Sequence, residues 1–167
     1  MSQKSDSKDI EILNMFLDEW MESLQSLEKG ILKLEIRQDD IVVINTIFNT
    51  VHNVKGGASF VGLPDVVRLC FEIEVTLQAI KENLITVTAE LIDSLLLIVE
   101  QLKKIASGLK KCKNYRQRSN LTKSAENDHV IESLKAAREK CKKEELSKES
   151  KDGIATGISI QEIESED

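Results

Sequence analysis

The stretch IVVINTIFNTVHNVKGGASFVGLP (residues 41–64) decides the fold class. Its apolar residues recur at alternating steps of three and four, and this spacing places them along one face of an α-helix. Gly62 interrupts the pattern, and Pro64 suits the first turn of a new helix, where no hydrogen bond needs its missing N–H. The stretch therefore predicts a helix, a tight turn and the beginning of another helix. The apolar face of the first helix comprises Ile44, Ile47, Val51, Val54, Ala58 and Val61.

The same apolar spacing continues on both sides of this stretch. It covers residues 10–34 upstream, and residues 66–84 and 91–109 downstream. The apolar positions are Ile10, Leu13, Leu17, Trp20, Leu24, Leu27, Ile31 and Leu34 in the first segment, Val66, Cys70, Ile73, Leu77, Ile80 and Leu84 in the third, and Leu91, Leu95, Ile98, Leu102, Ile105 and Leu109 in the fourth. The connections between the four segments are short, which favours antiparallel neighbours. We therefore predict an all-α protein, an antiparallel up-and-down four-helix bundle over residues 8–109.

The composition changes after residue 109. Residues 110–127 are basic with few apolar side chains, and we predict a loop there. A weaker apolar spacing, opened by Asp128 as a helix cap, predicts an additional C-terminal fifth helix over residues 128–146. Residues 147–167 have no sustained period and end in acidic residues, so we expect a disordered tail or a linker. The apolar positions of the fifth helix are Val130, Leu134, Ala137 and Cys141.

Composition and charge disfavour several classes of protein. The 167 residues carry a net charge of −6 and the isoelectric point is near 5.1, so we expect neither nucleic acid nor an anionic membrane as a partner. No apolar run reaches the roughly 18 residues of a membrane span, and no signal peptide is expected. Three cysteines without a CxxC pair favour a reducing, cytoplasmic location. We expect Cys70 in the core, and Cys112 and Cys141 exposed or half-exposed.

One of the two histidines, His52, lies at the edge of the apolar face of the second helix, about 100° from Val51. Lys55, Gly56 and Ser59 share its side of that helix. A neutral imidazole nitrogen is a nucleophile near neutral pH, and a lysine one turn away can stabilise negative charge on a transferred phosphoryl group. The alternative is an ordinary surface or half-buried histidine.

The neighbouring pair Gly56-Gly57 is unusual inside a helix, because each glycine costs about 1 kcal/mol relative to alanine. The pair either ends the helix or leaves a bare helix surface. Ala58 and Val61 continue the apolar spacing without a phase break, which favours the bare surface. Such a surface would allow a partner's active site to approach His52, so we include Gly56, Gly57 and Ser59 as candidate partner-docking residues.

These residues together resemble the histidine-containing phosphotransfer (HPt) domain, and most closely the N-terminal domain of the chemotaxis histidine kinase CheA family. The resemblance is carried by HNVKGGA (residues 52–58), Gly62-Leu63 and EIE (residues 72–74). The segment FLDE (residues 16–19) also looks like the first helix of that family. The likeness spans roughly residues 10–109, and the weak fifth helix fits an extra helix of the chemotaxis type.

The resemblance implies a role for each matching residue. His52 matches the histidine that accepts the phosphoryl group, Lys55 matches the following lysine, and Gly56 matches the glycine that leaves room for the partner. Glu74 matches a glutamate hydrogen-bonded to the imidazole, with a solvated helix residue as the alternative. The chain departs from the pattern at Phe71, where the chemotaxis type often has a second histidine, so we expect a smaller polar network around His52.

The resemblance also implies the function and the partners. We expect a monomeric phosphohistidine carrier that receives a phosphoryl group from the ATP-binding domain of a histidine kinase and passes it to an aspartate of a CheY-like response regulator. ATP and Mg²⁺ are expected at the kinase and Mg²⁺ at the regulator, with no cofactor bound by this chain. The alternatives are a helical-bundle adaptor without chemistry and a pseudo-phosphotransfer protein that only docks partners. The acidic, glycine-containing end resembles the start of a linker, so we expect the chain to be part of a CheA-like histidine kinase, with a free-standing protein as the alternative.

The other candidate residues have simpler interpretations. His129 has no cysteine or carboxylate at ligand spacing, so we expect a surface residue and no metal site. Trp20 occupies an apolar position of the first helix and is expected to pack in the core. The basic run from Lys103 to Arg118 is expected to be a solvated helix end and loop.

Overall fold

The computed structural model describes residues 3–112 and 122–155, and the side chains of residues 11–112 and 122–142. Within these residues there are five helices and no strand, which confirms the all-α prediction. The helices are α1 (Gln3–Ile36), α2 (Ile41–Phe60), α3 (Pro64–Lys81), α4 (Ala89–Lys111) and α5 (Ala125–Ala155).

The first four helices form a closed bundle in which α1 packs against α2 and α4, and α2 packs against α3. Salt bridges between α1 and α4 join Glu28 to Lys103 and Asp18 to Lys110, so the residue numbers run in opposite directions and the two helices are antiparallel. The helix α5 lies outside this bundle, on α4 and α3. None of the described helices is long and apolar enough to cross a membrane.

The predicted apolar faces form one aliphatic core. Among the described side chains, the predicted positions of α1, α4 and α5 are all buried, and Trp20 packs inside the core as expected. Two predicted positions differ, because both follow the end of a helix: Val61 is half-buried after α2, and Leu84 is exposed after α3.

The turn between α2 and α3 fixes the register of these two helices. Gly62 adopts the left-handed conformation with φ +72°, and its N–H donates to the carbonyl of Ser59 at 3.2 Å. The N–H of Leu63 donates to the carbonyl of Ala58 at 2.9 Å, which completes a Schellman motif. Pro64 begins α3 as the sequence predicts. The α2 end at Phe60 shows that Gly56 and Gly57 lie inside the helix.

The boundaries of α5 differ from the prediction of residues 128–146. The helix begins at Ala125, because the Ser124 hydroxyl accepts the N–H of Glu126 at 3.1 Å. Asp128 is therefore not the cap, and it pairs with Arg68 of α3 at 2.8 Å. The helix continues to Ala155, so the first part of the expected disordered tail is helical. Lys148, Glu149, Lys151 and Ala155 are residue types that favour helix without any apolar period, which explains why the period alone missed this part. Residues 156–167 lie outside the described residues.

Two of the three cysteines are buried, and this corrects the expectation for one of them. Cys70 is in the core as predicted, and burial raises the pKa of its thiol to about 12. Cys141 was expected to be exposed or half-exposed, but α5 presses it against the bundle, where its sulfur lies 3.5 Å from the Thr88 hydroxyl. Cys112 is half-buried as expected.

Candidate functional site

His52 stands on the solvent side of α2, and 62% of its side chain is exposed. Its Nδ1 lies 3.0 Å from Oε1 of Glu74 on α3. An ionised carboxylate can only accept hydrogen bonds, so Nδ1 carries the proton and donates it to Glu74. The neutral ring then keeps its lone pair on Nε2, on an exposed side chain. The arrangement therefore presents one defined nucleophilic nitrogen.

Glu74 is buried, with only 9% of its side chain exposed, and it connects two residues of α2. One oxygen accepts from His52, and the other contacts the ammonium of Lys55, one turn further along the helix. Both carboxylate oxygens have partners, as a buried charge requires. This burial excludes the alternative of a solvated Glu74. The register of the turn at Gly62 places α3 so that the carboxylate meets both side chains.

Lys55 lies beside His52 as the sequence predicts, but its charge is directed toward Glu74. Its side chain is partly exposed at the rim of the site. The sequence suggested that this lysine could stabilise negative charge on a phosphoryl group carried by His52. In this structure its ammonium instead neutralises the buried carboxylate of Glu74.

The two neighbouring glycines have different surroundings. No atom lies within 4 Å of the place that a Cβ of Gly56 would occupy, so this position is open to solvent beside His52. A Cβ at Gly57 would lie 2.2 Å from Cε2 of Phe16 on α1. Gly57 therefore allows α1 and α2 to pack closely and does not clear a surface for a partner. Ser59 is exposed on the same side of α2 as His52.

A residue that the sequence did not single out, Phe48, stacks beside the imidazole. The rings of Phe48 and His52 are nearly parallel, with 11° between their planes and 6.2 Å between their centroids. Phe48 is one turn before His52 on α2, so the i−4 spacing was the signal that could have found it. Phe48 also lines a groove with Phe71 and Glu74, and Phe71 is half exposed there.

A second buried carboxylate lies two residues before Glu74. Glu72 faces α5, where its Oε2 is 3.3 Å from a guanidinium nitrogen of Arg138. The other terminal nitrogen of Arg138 donates to the Thr76 hydroxyl at 3.1 Å. This network joins α3 to α5 and contains no group of the histidine site. Nothing in the apolar spacing of α3 indicated it.

His129 does not belong to either network. It is exposed on α5, as expected from the sequence. No cluster of three or more histidine, cysteine, aspartate or glutamate side chains that could hold a metal ion occurs among the described residues.

A helical bundle with an exposed imidazole held by a buried carboxylate is the arrangement of a histidine phosphotransfer domain. The model of the Hpt domain family matches residues 11–106, and the chain belongs to this family. This confirms the resemblance that the sequence suggested.

The chain is also similar to individual members of the chemotaxis type. It is 40% identical over 73 residues to the chemotaxis protein CheA of Rhizobium meliloti (strain 1021), a match that covers 44% of this chain and 10% of that protein. It is 29% identical over 93 residues to the sensor histidine kinase CheAY of Helicobacter pylori (strain ATCC 700392 / 26695), covering 56% of this chain and 12% of that protein. The chain thus spans about a tenth of the length of these relatives.

A solved structure, described as the solution structure of the histidine phosphotransfer domain of CheA, has the same fold. It superposes with a TM-score of 0.56 and is 27% identical. The match covers 67% of this chain and 89% of that one. The chain is therefore an Hpt domain similar to the phosphotransfer domain of CheA.

Proposed function

We propose that this chain is a phosphohistidine carrier in a chemotaxis-type relay. Nε2 of His52 receives a phosphoryl group from ATP bound to the catalytic domain of a histidine kinase, and passes it to an aspartate of a CheY-like response regulator. The observation that carries the proposal is the exposed His52 ring, whose Nδ1 is held at 3.0 Å by the buried carboxylate of Glu74.

The first transfer uses the lone pair that the Glu74 hydrogen bond leaves on Nε2. Nε2 forms a bond to the γ-phosphorus, and the bond from this phosphorus to the β,γ-bridging oxygen breaks, so ADP leaves with that electron pair. Nδ1 keeps its proton, and the ring becomes a cation. The adjacent Glu74 stabilises this cation, because an ionised acceptor strengthens the hydrogen bond as positive charge develops.

The second transfer restores the neutral ring. A carboxylate oxygen of the regulator's aspartate bonds to phosphorus, the N–P bond breaks, and its electron pair returns to Nε2. ATP and Mg²⁺ belong to the kinase site, and Mg²⁺ to the regulator site, where they neutralise charge on the phosphates. This chain contributes the position of the nucleophile and its electrostatic surroundings.

The surroundings of His52 suit a partner that closes over it. Gly56 has open space in front of it, and the exposed Ser59 and Phe60 extend the same part of α2. Phosphoryl transfer needs the donor, phosphorus and acceptor close to one line, so a bulky side chain next to Nε2 would hinder it. The proposed location of the relay is the cytoplasm, which suits the reduced cysteines.

The test compares the two histidines of the chain. Wild-type protein, His52→Gln and His129→Gln are incubated with a chemotaxis kinase catalytic domain and radiolabelled ATP. We expect acid-labile label on the wild type and on His129→Gln, and none on His52→Gln. Label that persists in His52→Gln, or is lost in His129→Gln, contradicts the proposal.

The same assay separates the carrier from a docking protein without chemistry. The observation that favours this second candidate is Phe71, a half-exposed phenyl group where the chemotaxis type often has a polar histidine. A wild-type chain that binds a CheY-like regulator but takes no label from the kinase would support this candidate.

A further inference from the structure

The hydrogen bond to Glu74 does not by itself fix the plane of the His52 ring. It restrains the distance from Nδ1 to Oε1 of Glu74, but the side chain has two torsions, χ1 and χ2, and the ring can still swing through coupled changes of both that keep this distance. Such a swing carries Nε2 through an arc on the solvent side. In-line transfer requires a defined direction of the attacking lone pair, so a second contact must limit this motion.

Phe48 is placed to supply that contact. Its ring lies nearly parallel to the imidazole, 6.2 Å away between centroids and with 11° between the planes. This distance and angle are those of an offset-stacked aromatic pair. Phe48 is itself partly buried and packed against the core, so its ring provides a firm surface. The Phe48 ring is stacked with the imidazole, whereas Glu74 bonds the edge of the imidazole at Nδ1.

We propose that Phe48 is a positioning residue for phosphoryl transfer: its ring holds the His52 imidazole in the plane that directs Nε2 toward the incoming phosphorus. The inference deepens the proposed function and rests on it. The stacked contact acts on the orientation of the nucleophile and leaves the docking surface at Gly56 unchanged. The residue should therefore influence the maximal rate of transfer more than the affinity for the kinase.

The experiment uses Phe48→Leu, which removes the aromatic face, and Phe48→Tyr, which retains it. The groove beside Phe48 is open, so the added hydroxyl can reach water. Phe71→Leu is the matched control, because it makes the same change to a more exposed ring in the same groove. Each variant is checked for folding by circular dichroism at the assay temperature. The rate of His52 phosphorylation is then measured against the concentration of the chain.

We expect Phe48→Leu to lower the maximal rate about three- to tenfold, the range that corresponds to one aromatic contact. The KM should stay within about twofold, Phe48→Tyr should recover most of the rate, and Phe71→Leu should behave as the wild type. An unchanged maximal rate in Phe48→Leu overturns the inference, as does an effect confined to KM. A rate in Phe48→Tyr as low as in Phe48→Leu also overturns the inference, because the loss would then occur even with the aromatic face present.

A measurement without the kinase separates this inference from the proposed function. In carbon-detected spectra of the histidine rings, Phe48→Leu should shift the Cε1–H signal of His52 and leave that of His129 unchanged. Phe71→Leu should shift neither signal. Absence of labelling in the wild type would refute the carrier function, and identical His52 signals in Phe48→Leu and wild type would refute the stacking on which this inference depends.

Discussion

Two buried glutamates of α3, two residues apart, have opposite consequences. Glu74 is 9% exposed and faces α2, where its partner His52 is largely open to water. Glu72 is 12% exposed and faces α5, where its partner Arg138 is itself only 13% exposed. The same kind of carboxylate therefore holds an exposed imidazole in one case and a buried guanidinium in the other. Under the proposed function, the exposure of the partner, more than that of the carboxylate, separates the contact used in phosphoryl transfer from the one that only joins two helices.

The largest expected effect tests the functional side of this comparison. Glu74→Gln retains an oxygen that can accept from Nδ1 but removes the charge that stabilises the cationic ring. A hydrogen bond to a charged group contributes about 1.5–3 kcal/mol, so the rate of His52 phosphorylation should fall roughly 10- to 100-fold. The free energy of unfolding should fall by only about 1 kcal/mol, because the exposed His52 and the partly exposed Lys55 can turn to water.

Glu72→Gln is the control for Glu74→Gln, and it has the second-largest expected effect. It leaves the guanidinium of Arg138 buried without its carboxylate, and the free energy of unfolding should fall by about 2 kcal/mol. Urea denaturation measures this loss. The rate of His52 phosphorylation should stay within about twofold of the wild type. A large loss of rate in Glu72→Gln would contradict the division between the two carboxylates.

A double variant sharpens the structural side of the comparison. The variants Glu72→Met and Arg138→Met together remove both charges of this pair, and Lys135, which also lies 3.9 Å from Glu72, keeps its contact with Glu132 at 3.3 Å. Apolar replacement of a buried ion pair is often neutral or stabilising, so the double variant should be more stable than Glu72→Gln. Equal or lower stability of the double variant would show that the Thr76 hydrogen bond of Arg138 is the more important contact.

The apolar spacing was sufficient to predict the bundle, because it reports directly which face of each helix is buried. Leu17 and Leu102, for example, are predicted core positions and both are fully buried. Spacing carries no information about the polar contacts that set helix ends. The Ser124 cap is a local contact that apolar spacing does not report, and the Asp128 pair with Arg68 depends on where α3 lies, so the beginning of α5 was misplaced.

The site was predictable only in part for the same reason. The positions of His52 and Lys55 on one side of α2 follow from helix geometry, whereas the hydrogen bond to Glu74 required the resemblance to a known family. Neither source gave Glu72 a role, because its partner Arg138 belongs to a helix with a weak apolar pattern; the resemblance included Glu72 only as part of the EIE segment. The aromatic contact of Phe48 was within reach of simple i−4 spacing.

The smallest expected effects concern Gly56 and Gly57, the two neighbouring glycines of α2. Gly56 lies in open space beside His52, whereas Gly57 packs against α1. Gly57→Ala places a Cβ 2.2 Å from the ring of Phe16, and the displacement should outweigh the gain in helix propensity. The free energy of unfolding should fall by about 1 kcal/mol, with little change in phosphorylation. Gly56→Ala meets no atom within 4 Å and should raise the free energy of unfolding by about 0.5–1 kcal/mol.

The two glycine substitutions should rank differently in phosphorylation than in stability: Gly56→Ala should impair phosphorylation, and Gly57→Ala should not. The methyl group of Gly56→Ala would lie where we propose that the kinase domain approaches Nε2. A steric cost of about 1 kcal/mol in the complex should raise the KM of the kinase domain for this chain about fivefold. Urea denaturation should therefore find Gly56→Ala more stable than the wild type and Gly57→Ala less stable. Phosphorylation kinetics should find Gly56→Ala slower at low concentrations of the chain and Gly57→Ala as active as the wild type. If Gly56→Ala is both more stable and unchanged in KM, the open space beside His52 is not used by the kinase, and Gly56 has no docking role there.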